Sequence, residues 1–343
     1  MDWLGRAKPM PLIIDCDPGV DDAIALLLTF AAPELELLGI SVVAGNVPLS
    51  VTAANARRIC ELAGRSEMPV YAGCPRPLLG PQIGIDAGSG VTVTAAEVHG
   101  ETGLVGVELP APQMALQPEH AVSWLIQTLS EATAPITIAT LGPLTNLAVA
   151  LTQSPHILPK IRQIVMMGGA ITHGNITPKA EFNIYCDPHA AQIVLASGCP
   201  ITLVSLDVTH SAIATPERIE RLRAIGEPLG PIVAAWLKAY GAYDEAKYGF
   251  SGPPIHDACV IAYLLAPDAF TSRPCPVSIE LTSPAAIGQT IVDWWGQAPS
   301  QNPAVNVLTA IDADRFYALL VDRLTHLNSR LHLSVSSDAQ PTG

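Results

Sequence analysis

Five short segments, 12–14, 35–43, 136–140, 161–167 and 201–205, are apolar runs with little alternation between hydrophobic and polar residues. A strand with one face in water alternates with a period of two. A strand covered on both faces reads as a continuous apolar run, as in a parallel sheet between helical layers. The segments between these runs, at 22–31, 49–63, 121–131, 144–151 and 188–196, have helical patterning, and 69–72 reads as one more short strand. The pattern predicts an α/β chain: a single domain with a mostly parallel central sheet flanked by helices. Further helices are expected at 216–224, 228–242 and 258–265, late strands at 277–281, 290–293 and 305–310, and a closing helix at 314–324.

The 343 residues are 49% hydrophobic and 14% charged, enough for one large core or at most two domains. The expected division is one domain over 1–327 and a polar, disordered tail over 328–343. Segment 73–112 is rich in Gly and Pro, and a loop of that length is expected to close over a ligand. The net charge of −13 repels a phosphate backbone, which argues against nucleic-acid binding. No apolar run is long enough for a membrane span, and the first residues lack the apolar core of a signal peptide. Seven cysteines with no CxxC pair do not form a disulfide framework. Together these features predict a cytoplasmic protein.

The first apolar run ends in four aspartates, Asp15, Asp17, Asp21 and Asp22. Asp21 as cap of the following helix and Asp22 in its first turn account for the last two, each at about 0.3–1 kcal/mol. That leaves Asp15 and Asp17 unexplained at the end of a buried strand, where ligands bind in open α/β sheets. Converging carboxylates raise one another's pKa unless a cation lies among them. No Lys or Arg occurs between Pro11 and Asn55, so a bound metal ion is the economical answer. All-oxygen ligands favour Ca²⁺ or Mg²⁺ over zinc. The EF-hand loop is excluded, because Val20 and Leu26 stand where it needs Gly and Glu. No GxGxxG, P-loop or GxSxG motif is present.

Polar groups recur at the ends of other strands: Asn46 in "VVAGN", Leu141 in "IATLGPLTNLA", Met167, Asn175, Glu181, Phe182 and Asn183 in "VMMGGAITHGNITPKAEFNIYCDP", and His256 and Asp257 in "PPIHDACVIAYLL". Singly, each reads as a turn former, a cap or a satisfied histidine. Together, beyond separate strands of one sheet, they read as a site.

In their order these motifs, headed by "DCDPGVDDAIAL", resemble the nucleoside hydrolase family over nearly the whole chain, specifically its calcium-dependent, inosine–uridine preferring members. The resemblance implies a Rossmann-related fold and hydrolysis of the N-glycosidic bond of ribonucleosides to base and ribose. It implies one Ca²⁺ held by Asp17, Asp22, Asp257 and the Leu141 carbonyl. Asp21 and Asn183 would bind the ribose diol with Asn46 beside them. Asn175 and Glu181 would take the 5′-hydroxyl, Met167 would pack under the sugar, and Phe182 belongs to the same motif. Asp17 would be the base, His256 the acid, and His99 in "VHGETG" a second contact to the departing base. Purine-restricted members tend to lack the histidine at His256 and stack the base between tryptophans, so pyrimidine or broad specificity is expected. The resemblance also implies a homodimer or homotetramer. Two other functions compete: a haloacid dehalogenase-type phosphatase using Asp15 as nucleophile and Asp17 as acid with Mg²⁺, and a nucleoside-binding protein without turnover.

Overall fold

The computed structural model describes residues 8–79, 94–297 and 304–338. In chain order the elements are β1 (Met10–Cys16), α1 (Val20–Ala31), β2 (Leu35–Val42), α2 (Leu49–Leu62), β3 (Val70–Ala72), α3 (Ala96–His99), α4 (Ala121–Glu131), β4 (Ile136–Thr140), α5 (Thr145–Gln153), β5 (Ile161–Met167), α6 (Phe182–Cys186) and α7 (Pro188–Leu195). They continue with β6 (Ile201–Val204), α8 (Leu206–Thr209), α9 (Pro216–Arg223), α10 (Leu229–Tyr248), α11 (Ala258–Leu265), β7 (Phe270–Ile279), β8 (Thr290–Val292), β9 (Ala304–Ile311) and α12 (Ala313–Asp338).

The nine strands form one sheet in the order β3-β2-β1-β4-β5-β6-β9-β7-β8. Pairing is parallel from β3 to β9, whereas β7 runs antiparallel to both β9 and β8. The expected α/β class and mostly parallel sheet are therefore observed. Successive residues of β1 enter opposite layers: Leu12 and Ile14 join the core that α1 and α11 help form, and Ile13 joins the core with α4, α5 and α7 residues. That division is why the strand sequence does not alternate.

The chain leaves β1 for β2 and β3 on one side, then returns to β4 on the other. In doubly wound sheets the crevice at such a reversal, beyond the carboxyl ends of the strands, holds the ligand. Asp15 lies opposite Ser41 of β2 and Thr140 of β4, so the aspartate motif emerges at this crevice.

Several elements depart from expectation. Helix α10 continues to Tyr248, where Gly249 closes it in the left-handed conformation at φ 69°. Strand β7 begins at Phe270 despite Pro274 and Pro276, which obscure it in the sequence. The expected disordered tail is helical to Asp338. Asn328 accepts the Leu229 amide at 3.1 Å and donates to the Ile225 carbonyl at 3.1 Å, while Arg330 donates to the Phe30 carbonyl at 2.8 Å. Tertiary contacts hold a segment whose composition reads as frayed. Of the long 73–112 segment, 80–93 lie outside the described residues, and the rest contains the short helix α3.

Candidate active site

The floor of the site is the loop from β1 to α1. Asp22 caps α1: its Oδ2 accepts the Gly19 amide at 2.9 Å and its Oδ1 the Asp17 amide at 3.2 Å. The capping bond therefore comes from Asp22, not from Asp21, which lies within the first turn of α1. Asn46, after β2, donates from Nδ2 to the Asp17 carbonyl at 3.1 Å and to Asp22 Oδ2 at 3.2 Å. Its backbone amide donates to Asp17 Oδ2 at 2.7 Å. Asn46 therefore orders the acidic loop as well as lining the cleft.

Asp17 is held between two glycines. A Cβ on Gly142 would overlap Oδ1 and lie 2.7 Å from Cγ, and one on Gly45 would overlap Oδ2 and lie 2.8 Å from Cγ. Hence glycine is needed both in "VAGN" and in "TLGP". Beneath this point lies Asp15, whose Oδ1 accepts Ser41 Oγ at 2.5 Å and Asn146 Nδ2 at 2.9 Å. Asp15 is fully buried and its Oδ1 is committed to Ser41 and Asn146, so it supports the acidic loop, which weighs against the phosphatase reading of Asp15 as nucleophile.

The acidic cluster is electrostatically unfavourable by itself. Burial raises the carboxyl pKa of Asp17, and the Asp22 charge raises it further. Burial likewise raises Asp22. Asp257 is raised by burial and then by Asp21, Asp22 and Asp17. Burial lifts Asp15 to about 6. One carboxylate oxygen each from Asp21, Asp22 and Asp257 lie within 4.8 Å of one another. Asp17 is not in that closest group, but its Oδ1 is buried with no hydrogen-bond partner. Asp257 begins α11 without a side-chain capping bond, so capping does not explain it. Buried, converging, all-oxygen donors with an orphaned carboxylate oxygen are suited to a hard metal ion. The residues fit the group.

The wall above comes from β4, β5 and α6. Asn183 Nδ2 donates to the Leu141 carbonyl at 2.7 Å and the Met167 carbonyl at 3.3 Å, fixing the amide so that Oδ1 remains available as an acceptor. Glu181 is the N-cap of α6 and accepts the amides of Asn183, Ile184 and Gly169. Even so, burial raises its pKa. Asn175 Oδ1 accepts the Phe182 amide at 2.8 Å, and Lys247 of α10 donates to the Asn175 carbonyl at 2.6 Å. Asp21, Asn46, Leu141, Met167, Asn175, Glu181, Phe182, Asn183, His99, His256 and Asp257 all border one open cleft of about 780 Å³. Asp17 and Asp22 lie under its floor.

The roof carries the histidines. His99 is buried, and its Nδ1 accepts the Val20 amide at 3.2 Å. Burial lowers its pKa to about 3. His256 Nδ1 lies 2.7 Å from Thr209 Oγ1, and burial, then His210 and His99, hold its pKa well below the ordinary value. His210, Tyr240, Tyr243 and Tyr248 complete this side, and the sequence reading did not find them. The spacing of Tyr240 and Tyr243 puts them on one helical face, but without the fold that face has no reason to be singled out. No described tryptophan borders the cleft: Trp124 stacks on Tyr71, Trp236 is in the core, Trp294 packs on Arg273 and Trp295 is exposed. Trp3 lies outside the described residues.

Fold and site define an α/β protein with a cleft between a metal-suited acidic floor and a roof of histidines and tyrosines. The family model for inosine-uridine preferring nucleoside hydrolase matches residues 12–318, and the chain belongs to that family. It is an enzyme that hydrolyses the N-glycosidic bond of ribonucleosides. An uncharacterized protein of Schizosaccharomyces pombe is 47% identical over 322 residues, covering 93% of this chain and all of the relative. The pyrimidine-specific ribonucleoside hydrolase RihA of Shewanella sp. (strain MR-7) is 45% identical, covering 93% of this chain and 99% of its own. Among solved structures, the purine-preferring ribonucleoside hydrolase from Gardnerella vaginalis superposes with a TM-score of 0.84 at 31% identity, covering 93% of this chain and 99% of the other. No described helix is long and apolar enough to cross a membrane.

Proposed function

We propose that this enzyme acts on pyrimidine or a broad range of ribonucleosides, with Ca²⁺ as the ion its acidic floor holds. The observation that carries this reading is the polarity of the cleft: carboxylates and an amide acceptor on the floor, two uncharged histidines on the roof, and no Lys or Arg among its described lining residues. Such a cleft suits a neutral, hydroxyl-rich substrate and disfavours a phosphorylated one.

Asp17, Asp22, Asp257 and the Leu141 carbonyl would hold the ion, and the proximity of Asp21 to Asp22 and Asp257 supports its role as the diol acceptor beside it. When bound, Ca²⁺ supplies charge neutralisation and gathers the diol and a water in one place. Asp21 and Asn183 Oδ1 accept hydrogen bonds from the ribose 2′- and 3′-hydroxyls. Asn175 and Glu181 contact the 5′-hydroxyl, and Met167 and Phe182 pack against the sugar. As the C1′–N bond lengthens, its electron pair leaves with the base and the sugar gains oxocarbenium character. Asp17 accepts a proton from the attacking water. His256 and His99 donate hydrogen bonds to the departing base, help of the kind worth about 10²–10³-fold per donor.

The preference for pyrimidines is supported by the RihA relatives and by a cleft with no tryptophan among its described lining residues. Uridine, cytidine, inosine and adenosine should be assayed by release of reducing sugar, with and without a calcium chelator. Equal turnover with chelator would overturn the metal assignment, and purine-only turnover would overturn the base preference.

A further inference from the structure

Thr209 takes no part in any family motif used above, yet it touches His256, a roof histidine whose protonation pattern is open. We propose that Thr209 is a positioning residue that fixes neutral His256 as its Nε2–H tautomer, so that the ring presents a donor, not a lone pair, to the departing base. The inference rests on the ribonucleoside hydrolase reading and adds a residue to it.

A neutral imidazole carries one proton, and the hydrogen bond made by one ring nitrogen decides where it lies. At His99 the answer is unambiguous. Its Nδ1 faces the Val20 amide at 3.2 Å, and an amide can only donate, so the proton must be on Nε2. At His256 the partner is the Thr209 hydroxyl, 2.7 Å from Nδ1, which can give or take a proton. The surroundings decide which. Among the described residues, the other acceptor within reach of that hydroxyl is the Leu206 carbonyl, at 3.5 Å. That is beyond the usual 2.5–3.0 Å of an O–H···O bond. The Leu206 carbonyl also already receives the His210 amide at 2.9 Å. The hydroxyl proton therefore goes to His256 Nδ1, and the imidazole proton to Nε2, which has no partner among the described residues.

Thr209 is well suited to this task. It is fully buried at the end of α8, so water does not compete for its hydroxyl. Its β-branched side chain has few alternative rotamers. The opposite tautomer would turn a nitrogen lone pair toward a base that is gaining negative charge. With Nε2–H on both histidines, the roof offers two donors to that charge at no cost in protonation. No proton leaves the imidazole in this scheme. The C1′–N electron pair passes to the base, the two N–H groups stabilise it by hydrogen bonding, and the base is neutralised from solvent water.

The test combines nitrogen NMR with leaving-group dependence. In ¹⁵N-histidine-labelled enzyme with CaCl₂, His256, assigned by its loss in His256→Asn, should show a protonated Nε2 and an unprotonated Nδ1. Thr209→Val should move it toward a tautomer mixture. The same variant should lower kcat on uridine in proportion to the Nε2–H population lost, about twofold for an even mixture. Hydrolysis of p-nitrophenyl riboside, whose phenolate leaves without help, should be essentially unchanged. Thr209→Ser should restore uridine turnover. A wild-type His256 protonated at Nδ1, or equal losses on the two substrates, would overturn the inference. A wild-type enzyme inert to every ribonucleoside would instead overturn the functional reading, and the nitrogen spectrum would still decide the tautomer.

Discussion

Gly142→Ala adds one methyl group at the most crowded point of the site. Gly142 is not among the positive-φ glycines, so alanine brings no backbone strain, and any loss comes from the contact itself. The new Cβ would lie 2.7 Å from Asp17 Cγ, where ordinary contact begins at 3.4 Å. The carboxylate must retreat by about 1 Å, a displacement that can cost about 10²-fold in rate. Retreat is limited on the far side by Gly45, which already approaches the carboxylate so closely that an added Cβ would lie 2.8 Å from Asp17 Cγ. Movement would also stretch the 2.7 Å bond from the Asn46 amide. Overpacking of this kind costs about 1–3 kcal/mol of stability. We expect kcat/KM for uridine to fall about 10²-fold. Calcium affinity, measured by calorimetry, should weaken in parallel, with a lower Tm. If the variant binds calcium and turns over uridine like wild type, the pinched position of Asp17 does not matter and the reasoning fails.

Metal removal should make stability pH-dependent. The folded-state pKa values of Asp17, Asp22 and Asp257 lie above their ordinary values, so without metal the folded protein takes up protons. Stability is then fullest below the unfolded carboxyl pKa, about 4, and falls as pH rises toward the raised folded values. Thermal unfolding with chelator should show Tm declining from pH 4 upward, and excess CaCl₂ should remove most of the decline; a flat chelated profile would count against a repulsive cluster. For 2′-deoxyuridine, the diol acceptors lose a partner, and kcat/KM should drop by up to about 10⁴-fold relative to uridine; comparable rates would remove Asp21 and Asn183 from diol recognition. Asn55→Ala should destabilise by about 2–3 kcal/mol, because its buried amide donates to the Pro18 carbonyl at 3.1 Å and the Thr102 carbonyl at 2.8 Å. Denaturant unfolding measures this, and a change near zero would show that water replaces the amide.

What the sequence determined by itself is the sheet and the chemistry of its rim. Apolar runs such as 12–14 and 136–140 can be stable only if covered on both faces, and four aspartates after the first of them require a cation or an unusual set of donors. Both conclusions follow from composition within a few residues, so no tertiary knowledge is needed. The tertiary structure decided everything that depends on which separate elements meet. It placed Asp22 as a cap, set Asp17 between Gly45 and Gly142, and brought Tyr240, Tyr243 and His210 to the roof. It also held 328–331 as helix through Asn328 and Arg330, against a polar composition. A hydrogen bond between residues 47 positions apart, such as Thr209 with His256, leaves no periodic trace in the chain. Its energy depends on distance and direction in space, and those are fixed only when the end of α8 meets the turn before α11.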